Sequence, residues 1–522
     1  MRYISTRGLA PFLDFAECML TGLARDGGLY VPENWPQISH SEIAAYAGQP
    51  FHAVAFDVIR RFTGGSIPDE VLKQACEAAY ASFAHKAVTP LQQIGPNRFI
   101  LELFHGPTLA FKDVAMQLLA RLMDHVLRAR GQRATIVGAT SGDTGGAAIE
   151  AFRASERADV FILFPEGRVS DVQRRMMTTP TEAHIHALSI AGNFDDCQAL
   201  VKGMFNDHAF RDSVGLSGVN SINWVRIVAQ VTYYFVAAVA LGAPHRKIAF
   251  SVPTGNFGDI FAGHVARRMG LPIETLIVAT NANDILARML HSGRYETRGV
   301  EATTSPSMDI QVSSNFERLL FEAAGNDAAA VRAMMESLKQ SGSFTLPETV
   351  LAKIRAEFHA HRGSEPEVAE IIRRTLAESA YLLEPHTATG VIAAEKAGLP
   401  ASVPLVVLAT AAPAKFPDAI RAITGLDAGL PPRLAHLMTD PERMEELPNA
   451  LGISRPIFGP NAGRDEHALV PRRRERSGPA APPADFRERP HPSHAGNGRF
   501  SRLGCFAGTV PWLSRALGAP LA

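Results

Sequence analysis

A lysine that ends an apolar run and opens a helix is a candidate nucleophile. Lys112 follows Leu109, Ala110 and Phe111 and directly precedes Asp113, with the polar turn His105-Gly106-Pro107-Thr108 ahead of it. Solvation lost on one side disfavours the ammonium form and lowers its pKa. An amine that is neutral part of the time can act as nucleophile, Schiff-base former and proton carrier. For this stretch alone, an exposed lysine in a first helical turn is the plainer alternative.

Two small-residue loops change the balance. The run Ala134 to Gly138 reads as a short strand, followed by Ala139 to Gly146, ATSGDTGG, and a helix expected from Ala147. A strand, a small-residue turn and a helix N-terminus present unpaired N–H groups to an anion. Ser141, Gly142, Asp143 and Thr144 make a carboxylate or phosphate site the reading, with a tight strand-to-helix connection as the alternative. The second loop, PTGNFGD, follows a strand Ile248 to Val252 and precedes a helix Ile260 to Met269. The N–H groups of Gly255, Asn256, Phe257 and Gly258 suit a phosphate. The loop is neither a Walker loop nor a GxGxxG dinucleotide turn. In PEGRVSDVQRR, Arg168, Arg174 and Arg175 with Ser170 either grip a phosphate or form a solvated helix face. Asn193 reads as a helix cap.

These residues need elements to hold them. Helical spacing predicts helices over Ile43 to Phe62 and Glu70 to Phe83, within an N-terminal helical region 1–95. Strands are expected at Phe99 to Leu103, Val160 to Phe164, Glu274 to Ala279 and Pro404 to Thr410, with helices between them. Repeated strand–helix units with short connections imply mainly parallel sheets covered by helices. Ligands in such sheets bind at the carboxyl ends of strands, so Lys112, both loops and Thr410 are expected to face one crevice. The α/β region is expected to span 96–449.

Composition sets the outer bounds. The 522 residues carry 52 basic and 52 acidic side chains, which argues against nucleic-acid or membrane-surface binding. Cys18, Cys76, Cys197 and Cys505 are isolated, without disulfide or zinc spacing. Arg226 and Gln230 interrupt the apolar window Val225 to Ala243, which reads as a buried helix and not a membrane span. A cytoplasmic location is the expectation. Residues 450–522 turn rich in Arg, Pro, Ala and Gly, the texture of a disordered or frameshifted tail.

Taken together, YISTRG (Tyr3 to Gly8), GLARDGGLYVP, HGPTLAFKD, GATSGDTG, NSINWVRI (Asn220 to Ile227), PTGNFGD, DIQVSSNFERLLF, EPHTATG (Glu384 to Gly390) and ATAAPAKFPD (Ala409 to Asp418) form a specific ordered set. By them the chain resembles the threonine synthase family in its longer bacterial and fungal form, among the tryptophan-synthase-β-like, fold-type II pyridoxal-phosphate enzymes. The resemblance runs to about Asn449. It implies two mainly parallel sheet domains, with residues 113–215 as a mobile substrate subdomain. It implies pyridoxal 5'-phosphate joined to Lys112, its phosphate on Gly255 to Gly258 and its ring nitrogen against Thr410. The substrate would be O-phospho-L-homoserine, its carboxylate on Ser141, Gly142, Asp143 and Thr144 and its phosphate near Ser170, Arg174 and Asn193. The products would be L-threonine and phosphate, with Lys112 shuttling protons. Two positions depart from the family: Ala412 stands where His is usual, and Glu384 where Asp is usual. Other enzymes of the same fold, a serine or threonine dehydratase or a phospholyase, are the alternative, and a non-catalytic binding protein a further one.

Overall fold

Continuous apolar runs become inner strands when helices cover both faces of a sheet. Leu405–Ala409 is such a run and Ile248–Pro253 is one but for Ser251, and both are buried along their whole length. In the computed structural model, which describes residues 1–449, they form the centre of a six-stranded sheet. Its order is Phe358–Arg362, Ile273–Thr280, Ile248–Pro253, Leu405–Ala409, Arg98–Glu102 and Leu91–Gly95. All neighbours are parallel except the last pair, which is antiparallel. A second, wholly parallel sheet runs in the order Glu445–Leu447, Ile185–Ile190, Ala158–Pro165, Ala134–Ala139 and Leu216–Ser217.

The helix Trp224–Ala240 ties the two halves of the site together. It is apolar nearly all round and buried accordingly. It packs against the helix Lys112–Ala129, the helix Gly258–Arg268 and the helix Phe51–Thr63. No helix of the described residues is long and apolar enough to cross a membrane.

Three expectations change. The helix expected over Ile43 to Phe62 is broken into His40–Ala44 and Phe51–Thr63, because Gly48 adopts a left-handed φ of 73° and Pro50 caps the second piece. The helix after the first loop begins at Asp143, not Ala147, because Gly142 takes φ 132° and lets the chain turn in early. The first residues also contain a short antiparallel pair, Tyr3–Ser5 with Tyr30–Pro32, that helical periodicity does not signal. The tail 450–522 lies outside the described residues.

A buried ion cluster anchors the helix Gly258–Arg268. His264 gives Nδ1 to Glu357 at 2.8 Å and Nε2 to Glu322 at 3.0 Å, and Arg268 holds Glu322 at 2.7 Å. Both ring nitrogens face carboxylates, so the imidazolium is the form that satisfies them. Burial works against that charge, but Glu357 and Glu322 outweigh it and push the His264 pKa up to about 9. A raised folded-state pKa stabilises fully below the unfolded value and ceases to do so as pH rises through the folded value. The charged ring should therefore contribute about 3 kcal/mol below pH ~6.5, a contribution lost by pH ~9. Denaturation midpoints of the protein and of His264→Gln should differ most at pH 6 and converge above pH 9; a gap independent of pH would contradict this.

Candidate active site

Lys112 reaches the crevice because two parallel strands stay joined beyond their ends. Past Arg98–Glu102 and Leu405–Ala409, Leu103 N–H donates to Ala409 O at 3.0 Å, Phe111 N–H to Thr410 O at 2.8 Å and Ala412 N–H to Leu109 O at 3.0 Å. The turn between them is closed by Asp113, which accepts from Thr108 N–H at 2.8 Å and Thr108 Oγ1 at 2.7 Å. Burial pushes the Asp113 pKa up to about 6 against those two bonds. Gly106 is required there: a Cβ would lie 2.4 Å from the Asp113 side chain.

Lys112 is 7% exposed, with Nζ 3.3 Å from Asp143 Oδ2 and 4.6 Å from the Phe111 ring centre. Burial lowers its pKa; Asp143 opposes the shift, and Lys415 and Arg226 add to it. Asp143 is the hub. Its Oδ1 meets Lys415 Nζ at 2.7 Å and accepts from Gln173 Nε2 at 2.9 Å. Burial disfavours its charge, yet Lys415 and then Lys112 hold its pKa far below the usual carboxylate range. Lys415 is wholly buried and also donates to Thr108 O at 2.9 Å.

The carbonyls of the second glycine loop are taken up by hydrogen bonds. Ser313 Oγ donates to Gly255 O at 2.6 Å, while Asn315 donates to Asn256 O through N–H at 3.1 Å and Nδ2 at 2.9 Å. Phe257 at φ 62° then starts the helix Gly258–Arg268, whose first N–H groups have no partner within the helix. Gly255 cannot carry a Cβ without approaching Ser307 O to 2.7 Å.

One cavity of about 860 Å³ collects most of the expected residues: Lys112, Ser141, Asp143, Thr144, the run Gly255 to Gly258, and Thr410. Four others do not line it. Gly142 lies against Gln173, where a Cβ would come within 2.4 Å. Ser170 caps the helix Asp171–Thr178 and donates to Lys415 O at 3.1 Å. Arg174 is taken up by Glu442 at 2.8 Å and by Asp171. Asn193 caps the helix Phe194–Asn206, accepting from Asp196 N–H at 3.1 Å.

The cavity adds residues that sequence reasoning passed over. Arg226 lines it at 2% exposure, gives Nη1 to Val219 O at 3.2 Å, and has a buried Nε without a partner. No carboxylate pairs with it among the described residues. Gln230, one turn on, also lines the cavity. The signal was present: these two residues interrupt an otherwise apolar helix. His386 lines it too, accepting from Ser307 N–H at 3.2 Å through Nε2, with Nδ1 at 2.7 Å from Glu384. Glu384, fully buried, caps the helix Pro385–Lys396 and fixes this imidazole. Ala412 packs in a small apolar cluster with Leu109, Val172 and Met176.

The donor set fits pyridoxal phosphate. It offers one buried amine for the aldehyde, a glycine cradle at a helix N-terminus for the phosphate, and a hydroxyl at a neighbouring strand end. A helix-opening lysine that shares one cavity with that cradle, between two mainly parallel sheets, points to the class of pyridoxal-phosphate-dependent enzymes, and the family model for that class matches residues 84–353. The models for the threonine synthase N terminus and C-terminal part match residues 2–80 and 387–455. The chain belongs to the threonine synthase family.

Relatives agree along most of its length. The chain is 53% identical to threonine synthase of Pseudomonas aeruginosa over 452 residues, 86% of this chain and 96% of the relative. It is 42% identical to that of Saccharomyces cerevisiae, over 80% of this chain and 88% of the relative. Among solved structures, pyridoxal-phosphate-bound threonine synthase from Brucella melitensis superposes with a TM-score of 0.85 at 60% identity, covering 88% of this chain and 98% of that one.

The cradle gives a direct test. Gly255→Ala drives a Cβ against the Ser307 carbonyl and should weaken pyridoxal-phosphate binding about tenfold or more. Absorbance titration of the cofactor-depleted protein measures it, and wild-type affinity in the variant would remove the cradle from the site.

Proposed function

We propose that this chain converts O-phospho-L-homoserine and water to L-threonine and inorganic phosphate. The observation that carries the reading is a buried amine, Lys112, sharing one cavity with Arg226, a buried cation that no carboxylate among the described residues neutralises. A phosphate-bearing amino acid satisfies both, and family membership supports the choice. The bound cofactor supplies an electron sink that makes protons at Cα, and then at Cβ, removable.

The protein supplies position, charge and proton transfer. Gly255, Asn256, Phe257 and Gly258 would hold the cofactor phosphate, and Thr410 would offer its hydroxyl to the ring nitrogen. Ser141 and Thr144, with the N-terminus of the helix Asp143–Phe152, take the substrate carboxylate. Asp143 itself is committed to lysines, so it orients Lys112 and does not bind the carboxylate. Lys112, freed when the substrate amine takes its place, carries the protons one at a time: one leaves Cα and one leaves Cβ, one is delivered to Cγ as it loses phosphate and becomes the methyl carbon, and one returns to Cα after water has added at Cβ. Arg226 stabilises the γ-phosphate as it departs. In this reading it takes the place of Ser170, Arg174 and Asn193. The lobe built on the second sheet, with residues 113–215, is the mobile part that would close over the substrate.

Two variants test the roles separately. Lys112→Ala should lower turnover by about 10⁴-fold or more, leave the circular dichroism unchanged and lose the visible absorbance of the lysine-linked cofactor. Arg226→Gln should keep the cofactor and raise KM for phosphohomoserine about a hundredfold. Coupled assays of threonine and phosphate check both. Phosphate release without threonine from the wild-type protein would make it a phospholyase instead.

A further inference from the structure

Asp143 sits between two buried ammonium groups, one on each oxygen. Oδ1 belongs to Lys415 and Gln173, and Oδ2 to Lys112, with Ser307 Oγ at 3.5 Å. If Lys112 were the only cation, each passage of Lys112 through its neutral form would leave a buried carboxylate uncompensated. Such a charge is strongly destabilising, and the carboxylate would respond by keeping Lys112 protonated. Lys415 removes that coupling. It is wholly buried, does not line the cavity, and is held by Asp143 and by Thr108 O, so it cannot reach the substrate.

We propose that Lys415 is a positioning residue whose charge compensates the Asp143 carboxylate whatever charge Lys112 carries, offsets its hold on the Lys112 proton, and thereby frees Lys112 to lose it. The proposal rests on the threonine synthase reading for the step in which Lys112 acts as a base. The other charges facing these groups are Arg226 and Asp259 toward Lys112, and Asp113 toward Lys415. Arg226 adds to the repulsion on Lys112, and Asp259 is tied to Tyr233 and Tyr234. Asp113 is bonded to Thr108, whose carbonyl accepts from Lys415. The three residues of the proposal come from different stretches of chain: the start of one helix, the start of the next, and the loop after Leu405–Ala409.

Lys415→Gln tests the charge while retaining N–H groups that can donate to Asp143 and Thr108, which protects folding. Lys415→Arg retains the charge, and Asp143→Asn removes the shared anion. Two readouts on the holoenzyme decide: the pH dependence of the bound cofactor's visible absorbance, and the acid limb of kcat/KM for phosphohomoserine. Lys415→Gln should move both midpoints up by about one pH unit, Asp143→Asn should move them down, and Lys415→Arg should leave them near wild type. A uniform loss of activity at every pH without a shift would reduce Lys415 to a structural residue and overturn the proposal. If the wild-type protein makes no threonine, the functional reading fails instead. The absorbance titration, which needs no substrate, still decides the role of Lys415.

Discussion

The charge shared by Asp143, Lys112 and Lys415 is the constraint around which the site is built. Three ionised groups buried together cost several kcal/mol each in lost hydration. They persist because every one is hydrogen-bonded or paired within 3.3 Å. That arrangement requires the Thr108 turn, the early start of the helix at Asp143 and the loop after Leu405–Ala409 to meet. The two sheets supply the strand ends, and the helix Trp224–Ala240 packs against the helices Lys112–Ala129 and Gly258–Arg268.

The crevice itself was readable from the chain. Short apolar runs followed by small-residue turns identify strand ends in parallel sheets, and the chemistry-bearing residues stand at those ends. Lys112, both glycine loops and Thr410 do line one cavity. Local signals were less reliable where a side chain had two uses. Ser170 and Asn193 have residue types equally suited to gripping phosphate and to capping helices, and capping is what they do in the structure. Arg174 looked free because Glu442, its partner, lies far along the chain.

What the sequence hid was long-range pairing. Lys415 could be read as part of a motif, but its partner at Asp143 and its complete burial depend on tertiary contact. Arg226 was visible as a polar residue in an apolar helix, yet only the packing shows that it faces a cavity. At Glu384, where Asp is usual in the family, the carboxylate caps its helix and holds His386. At Ala412 the apolar cluster with Leu109 occupies the position where a histidine is usual in the family.

The central claim is that phosphate leaves carbon and that water then adds at the neighbouring carbon, with Lys112 moving the protons. Turnover of phosphohomoserine in heavy-oxygen water tests it most directly, with mass spectrometry of both products. The account predicts the label in the threonine hydroxyl and none in the released phosphate. Label in the phosphate, with homoserine as the other product, would mean attack at phosphorus and would contradict it.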